Sequence, residues 1–126
     1  MYLFDTNVVI NFLDASFPKP VMQFLSRIVD DNPCISVITK IEALGFDFPS
    51  ANEQNAMETF IAGSTVVDID NDIVNKTIEI RKSIKIALPD AIIAATALVY
   101  DFSFLTRNTK DFKNIPELKL QNPWEI

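Results

Sequence analysis

The feature that most constrains this chain is a series of short apolar runs, each closed by polar residues and separated by stretches of helical spacing. Tyr2-Leu3-Phe4 stops at Asp5-Thr6-Asn7 and reads as a buried strand. Residues 34–38 (β-branched and apolar), 65–69 and 102–106 read as three more strands, and 118–121 as a short fifth. Helical spacing fills the gaps: residues 8–13, 21–29, a helix capped by Thr39 that runs to Phe46, 51–62, 70–85 and 91–100, with a helical turn at 109–112. In the 70–85 helix, Ile73, Val74, Thr77, Ile78 and Ile84 are expected on the apolar side. The helix opened by Leu88-Pro89-Asp90 is apolar nearly all round and is expected to be central and buried. Strands alternating with helices predict a single three-layer α/β/α domain over residues 1–126, built on a mainly parallel sheet of four to five strands. In such sheets ligands bind at the carboxyl ends of the strands.

Composition then narrows the chemistry. The chain has no histidine, which excludes Ser-His-Asp and Cys-His relays and histidine-ligated zinc. Its single cysteine, Cys34, excludes an internal disulfide and reads as a core thiol. With only 2 glycines, a glycine-rich phosphate loop is not expected. No secretory signal is expected at the start, and the longest mainly apolar run, 91–100, is about half of what a bilayer span needs. The expected setting is cytoplasmic, with no membrane partner.

Asp5 follows the first strand, Glu42 lies early in the helix after the second, Asp90 opens the apolar helix, and Asp111 lies three residues beyond Asn108, after the fourth strand. If the first strand is central, all four acids face one rim. Clustered carboxylates repel one another unless cations intervene, and hard oxygen ligands suit Mg²⁺ or Mn²⁺. Two such ions would add four positive charges to a net charge of −6 and leave about −2. Lys40, Arg81, Lys82, Lys85, Arg107 and Lys110 lie near the acids in sequence and are candidate phosphate contacts. Each acid also has a purely structural reading. Thr39-Lys40-Ile41-Glu42 fits a capping box, Asp90 suits a helix dipole, Asp5 could close a turn, and Asp111 could be a surface residue. Likewise, Arg81–Lys85 fits a solvated face and Trp124 a packing anchor for the tail.

The joint pattern has a family resemblance. Leu3-Phe4-Asp5-Thr6-Asn7-Val8-Val9-Ile10 resembles the opening motif of PIN domains, a metal-dependent ribonuclease fold. Residues 88–97, LPDAIIAATA, and 105–112, LTRNTKDF, resemble the third and fourth motifs of the VapC toxins within that family, and Glu42 takes the place of the second acid. The resemblance covers the whole chain in order. It implies an endoribonuclease dependent on one or two Mg²⁺ or Mn²⁺ ions, the toxin of a toxin–antitoxin pair, often dimeric and held inactive by a small antitoxin. Asp5, Glu42 and Asp90 become the acidic site, with Asp5 and Asp90 direct ligands and Glu42 a ligand or a base acting through water. Many PIN domains carry an aspartate where this chain has Asn108, which leaves Asn108 or Asp111 to complete the set. Thr6 and Thr106 would orient carboxylates, and Asn7 would support the first turn.

The chemistry implied is attack by a metal-activated water, leaving 5′-phosphate and 3′-hydroxyl ends. Phe46 and Phe48, near the helix after the second strand, could receive an antitoxin helix. The alternative is a PIN-like interaction module with weak or lost catalysis, for which Asn108 leaves room. A haloacid-dehalogenase-type phosphotransferase would need an aspartate where Asn7 stands. A receiver domain would need an acidic pair near the start and a lysine after the last strand, and neither appears clearly.

Overall fold

Tyr2–Phe4 (β1) lies at the centre of the sheet, as a site at the rim requires. In the computed structural model, which describes residues 1–125, the following elements are α1 (Thr6–Leu13), α2 (Lys19–Asp31), β2 (Cys34–Ser36), α3 (Val37–Leu44), α4 (Ala51–Ala62), β3 (Thr65–Val67), α5 (Asn71–Ser83), α6 (Leu88–Val99), β4 (Ser103–Leu105), α7 (Thr109–Phe112) and β5 (Lys119–Gln121), closed by a 3₁₀ turn at Pro123–Glu125. The five strands run parallel in the order β3-β2-β1-β4-β5.

Alternation along each strand divides the core into two layers. Leu3 pairs in register with Cys34 and Phe104, and these three join the α5–α6 side with Ile73, Ile80 and the alanines of α6. Phe4, Ile35 and Leu105 face the other way, against Val8, Val9, Val21, Leu25, Met57 and Phe60 of α1, α2 and α4. Cys34 is buried in the first of these layers, as a core thiol. The arrangement is the expected α/β/α sandwich. The expected burial of α6 is also found: Ala91 and residues 93–97 are inaccessible, and its small side chains let α5 pack closely against it.

Three details differ from expectation, each for a local reason. The strands after β1 are shorter than expected, three residues each, and at β2 the reason is that Ser36 caps α3, which begins at Val37. Thr39 does not cap α3. The Ser36 Oγ accepts from the Ile38 N–H at 3.1 Å, so the helix begins at Val37 and Thr39 lies inside it, fully buried. The capping box at Thr39–Glu42 therefore does not form. On α5, Ile73, Thr77 and Ile80 face the core, while Val74 (42%) and Ile78 (50%) are exposed. The helix ends at Ser83, which leaves Ile84 beyond it, half-buried against the α5–α6 core.

Candidate functional site

Because β1 is flanked by β2 and β4, the segments leaving all three strands meet at one edge of the sheet. Asp5 leaves β1 as the N-cap of α1 and is half-buried there, its Oδ1 accepting from the Thr6 N–H at 2.9 Å. Its Oδ2 accepts from the Thr106 hydroxyl at 2.7 Å. The Asp5 N–H donates to the Leu105 carbonyl at 2.9 Å, which carries the β1–β4 pairing into the site. Thr106 is fully buried, and its Oγ1 also accepts from the Asn108 N–H at 3.0 Å. The Asn108 Nδ2 in turn donates to the Asp111 Oδ2 at 2.8 Å. On the other side of Asp5, the Thr6 hydroxyl donates to the Glu42 Oε1 at 2.8 Å.

Glu42, Thr6, Asp5, Thr106, Asn108 and Asp111 thus form one chain of neighbours drawn from α3, α1, β1, β4 and α7. Asn7 is exposed at the head of α1 and takes no part in it. Asp90 sits in the first turn of α6, behind Pro89, and couples to the group through charge. Burial, and then the Asp5, Glu42 and Asp111 charges, push the Asp90 carboxyl above its ordinary value. Burial raises Asp5 as well; its hydrogen bonds from Thr106 and Thr6 oppose the rise and the Glu42 charge adds to it.

This donor set suits a hard divalent cation: it is all oxygen, and its acids carry a repulsion that such an ion would relieve. Among the described residues, no three acids yet meet around a single point. Glu42 and Asp111 are each turned toward a neutral donor, Thr6 and Asn108.

The candidate cations divide by position. Arg81, Lys85 and Lys110 line an open cleft of about 710 Å³ whose wall includes Asp90 and Asp111. Lys82 faces a neighbouring hollow, and Lys40 is exposed on α3, outside the cleft. Arg107 turns away from the cleft and lies over the Trp124 ring, 4.6 Å from its centroid. Trp124 itself packs on Phe17, with ring centroids 4.2 Å apart, as a tail anchor should. Phe46 and Phe48, in edge contact at 4.9 Å, line a separate groove of about 600 Å³ with Ile10, Leu13 and Met57. Among the described residues no helix is long and apolar enough to cross a membrane.

Carboxylates gathered at the carboxyl rim of a parallel α/β/α sheet, in a chain without histidine, define an acid-built site on a doubly wound fold. The chain belongs to the PIN domain family, whose model matches residues 2–118. A curated relative, Ribonuclease VapC of Rickettsia bellii, is 52% identical over 40 residues, 32% of this chain and 30% of that protein's length. Among solved structures, a toxin-antitoxin complex from Klebsiella pneumoniae includes a chain with a TM-score of 0.76 at 29% identity, covering 100% of both chains. VapBC2 from Rickettsia felis, bound to a promoter DNA fragment, shares the fold with a TM-score of 0.80 at 23% identity, covering 96% of this chain and 97% of that one.

Proposed function

We propose that this protein is a VapC-type endoribonuclease, the toxin of a toxin–antitoxin pair, acting in the cytoplasm with Mg²⁺ or Mn²⁺. The observation that carries the reading is the hydrogen-bonded chain that links Glu42, Asp5 and Asp111 at the carboxyl rim, with Asp90 lining the same cleft as Asp111. The name of the Rickettsia bellii relative and the family membership support the same chemistry.

Asp5 and Asp90 would hold the ion directly. Glu42, its Oε1 held by Thr6, would serve as a ligand or as the base that takes a proton from the attacking water. Asp111 completes the set in preference to Asn108. Asn108 brings no charge, and its Nδ2 donates to Asp111, which orients that carboxylate. Thr106 fixes the Asp5 carboxylate, and Thr6 fixes Glu42. A bound divalent cation supplies activation of the attacking water and neutralises charge on the phosphodiester in the transition state. Arg81, Lys85 and Lys110, which line the same cleft as Asp90 and Asp111, hold the RNA backbone.

The apolar groove at Phe46 and Phe48 receives a segment of the antitoxin. The toxin-antitoxin complex among the similar structures supports a partner of this kind. The protein pairs with a second copy of itself, as the resemblance implies. The test is cleavage of mixed cellular RNA with Mg²⁺ or Mn²⁺ by antitoxin-free protein, with chelator and Asp90→Asn as controls. Metal-dependent cutting lost in the variant supports the reading. Folded protein that cuts no RNA with either ion favours the interaction-module alternative.

A further inference from the structure

The cations of the cleft share its lining with Asp90 and Asp111, along α5, α6 and α7. Arg81 and Lys85 approach from the α5–α6 side, and Lys110 from α7. Arg107 follows Thr106 directly and precedes Asn108, so its backbone is held between the two groups that organise the acids. Its side chain stacks on Trp124, which belongs through Phe17 to the α1–α2 layer, on the other face of the sheet from α5 and α6. The turn beneath it is anchored in two places. The Thr106 N–H donates to the Gln121 carbonyl at 3.1 Å, and the Trp124 N–H donates to the Asn122 Oδ1 at 3.0 Å. Arg107 is exposed and has no carboxylate partner among the described residues.

A guanidinium lying on an aromatic face keeps its N–H edge free for a phosphate, and stacking reduces the freedom it would lose on binding. An arginine between Thr106 and Asn108, the two groups that organise the acids, could pair with a carboxylate and displace a cation. The Trp124 ring gives it a competing seat. We propose that Trp124 is a positioning residue that holds Arg107 as a backbone-phosphate contact on the α1–α2 side of the sheet. The RNA strand then crosses the rim from the Arg81–Lys85–Lys110 cleft, past the acids, to the Arg107–Trp124 platform. This inference rests on the ribonuclease reading and adds the path of the strand to it.

Trp124 is the single tryptophan of the chain, so its emission reports on this platform alone. The full chain is titrated with a short fluorescein-labelled oligouridylate, with Ca²⁺ replacing Mg²⁺, and Trp124 emission and label anisotropy are read together. Saturable binding that shifts Trp124 emission is expected. Arg107→Ala should weaken binding about 5- to 10-fold and lower the slope of log Kd against log salt by about 0.7, the value for one phosphate on a single strand. Trp124→Leu should weaken binding as much as Arg107→Ala, and the double variant no further. Trp124→Phe should restore binding to within about threefold, since any aromatic face seats a guanidinium.

RNA that binds while Trp124 emission stays unmoved overturns this inference and leaves the ribonuclease reading standing. So does a Trp124→Leu effect that adds to Arg107→Ala, or Trp124→Phe behaving like Trp124→Leu. RNA that fails to bind at all overturns the ribonuclease reading and this inference with it.

Discussion

The Thr106 hydroxyl donates to the Asp5 Oδ2 at 2.7 Å, joining two residues 101 positions apart through the β1–β4 pairing. Thr106 is inaccessible to solvent, and the same oxygen accepts from the Asn108 N–H. One buried hydroxyl thus orients the first acid and starts the turn that carries the last. Thr106→Val keeps the shape and removes both hydrogen bonds. It should cost about 1–3 kcal/mol of stability, the range for stranding buried polar partners. It should also weaken Mg²⁺ or Mn²⁺ binding about 10- to 100-fold, as loss of an outer-shell partner does. Thermal melts and isothermal metal titration check the two effects, and Thr106→Ser should retain most of both.

Thr6 and Glu42 make the complementary case at the solvent edge, at 2.8 Å. Because that hydrogen bond is exposed, Thr6→Val should change stability by no more than about 0.5 kcal/mol. Its effect should fall on RNA cleavage, about 10- to 100-fold, through loss of Glu42 orientation. A melt and a turnover assay on the same preparation separate the two. A large drop in melting temperature would show that Thr6 serves the fold instead.

Thr39 supplies a test of the opposite sign. Its Oγ1 is buried with no hydrogen-bond partner among the described residues. Thr39→Val removes an unsatisfied oxygen and keeps the branched shape, so it should leave stability unchanged or raise it by about 1 kcal/mol. Denaturant unfolding measures this, and destabilisation by more than that amount would mean the hydroxyl has an essential partner.

The acids also fix a pH dependence for the metal-free protein. Asp90 and Asp5 are both raised, chiefly by burial. A carboxyl raised on folding binds its proton more tightly in the native state. Its contribution is therefore fully present below the ordinary carboxylate value and is lost as pH rises through the raised one. In chelator, melting temperature should climb as pH falls from neutral toward the ordinary carboxylate range. In chelator at neutral pH, Asp90→Asn should melt higher than wild type, because it removes the raised carboxyl. The order should reverse with saturating Mg²⁺, which stabilises the wild type by about 2.7 kcal/mol at 100 times its Kd. Melts across pH, with and without metal, read out both signs.

What was legible in the sequence follows from what is local. Asp5, Asp90 and Asp111 were visible because each stands just after a strand or near the start of a helix, where a parallel sheet collects its ligands, whereas Glu42, expected early in its helix, is the sixth residue of α3 because that helix begins at Val37. The central place of β1, which brings them to one rim, was a condition of that argument, and the strand order meets it. The start of α3 was misplaced because Ser36 and Thr39 are both good caps and only the short pairing of β2 with β3 favours Ser36. The exposed Val74 and Ile78 were misassigned because an apolar residue beside the buried stripe of α5 satisfies the same periodicity. The stack of Arg107 on Trp124 left no trace in spacing, since it depends on β5 pairing with β4 to bring the C-terminal turn beneath the loop.

The central claim is that the acids at this rim hydrolyse RNA with metal-activated water, and the ends of the products test it most directly. RNA fragments made by the purified protein with Mg²⁺ or Mn²⁺ would be mapped for their terminal groups, beside chelator and Asp5→Asn controls. The expected result is 5′-phosphate and 3′-hydroxyl ends, with cleavage absent in both controls. Fragments ending in 2′,3′-cyclic phosphate, or cutting that persists in Asp5→Asn, would contradict the account.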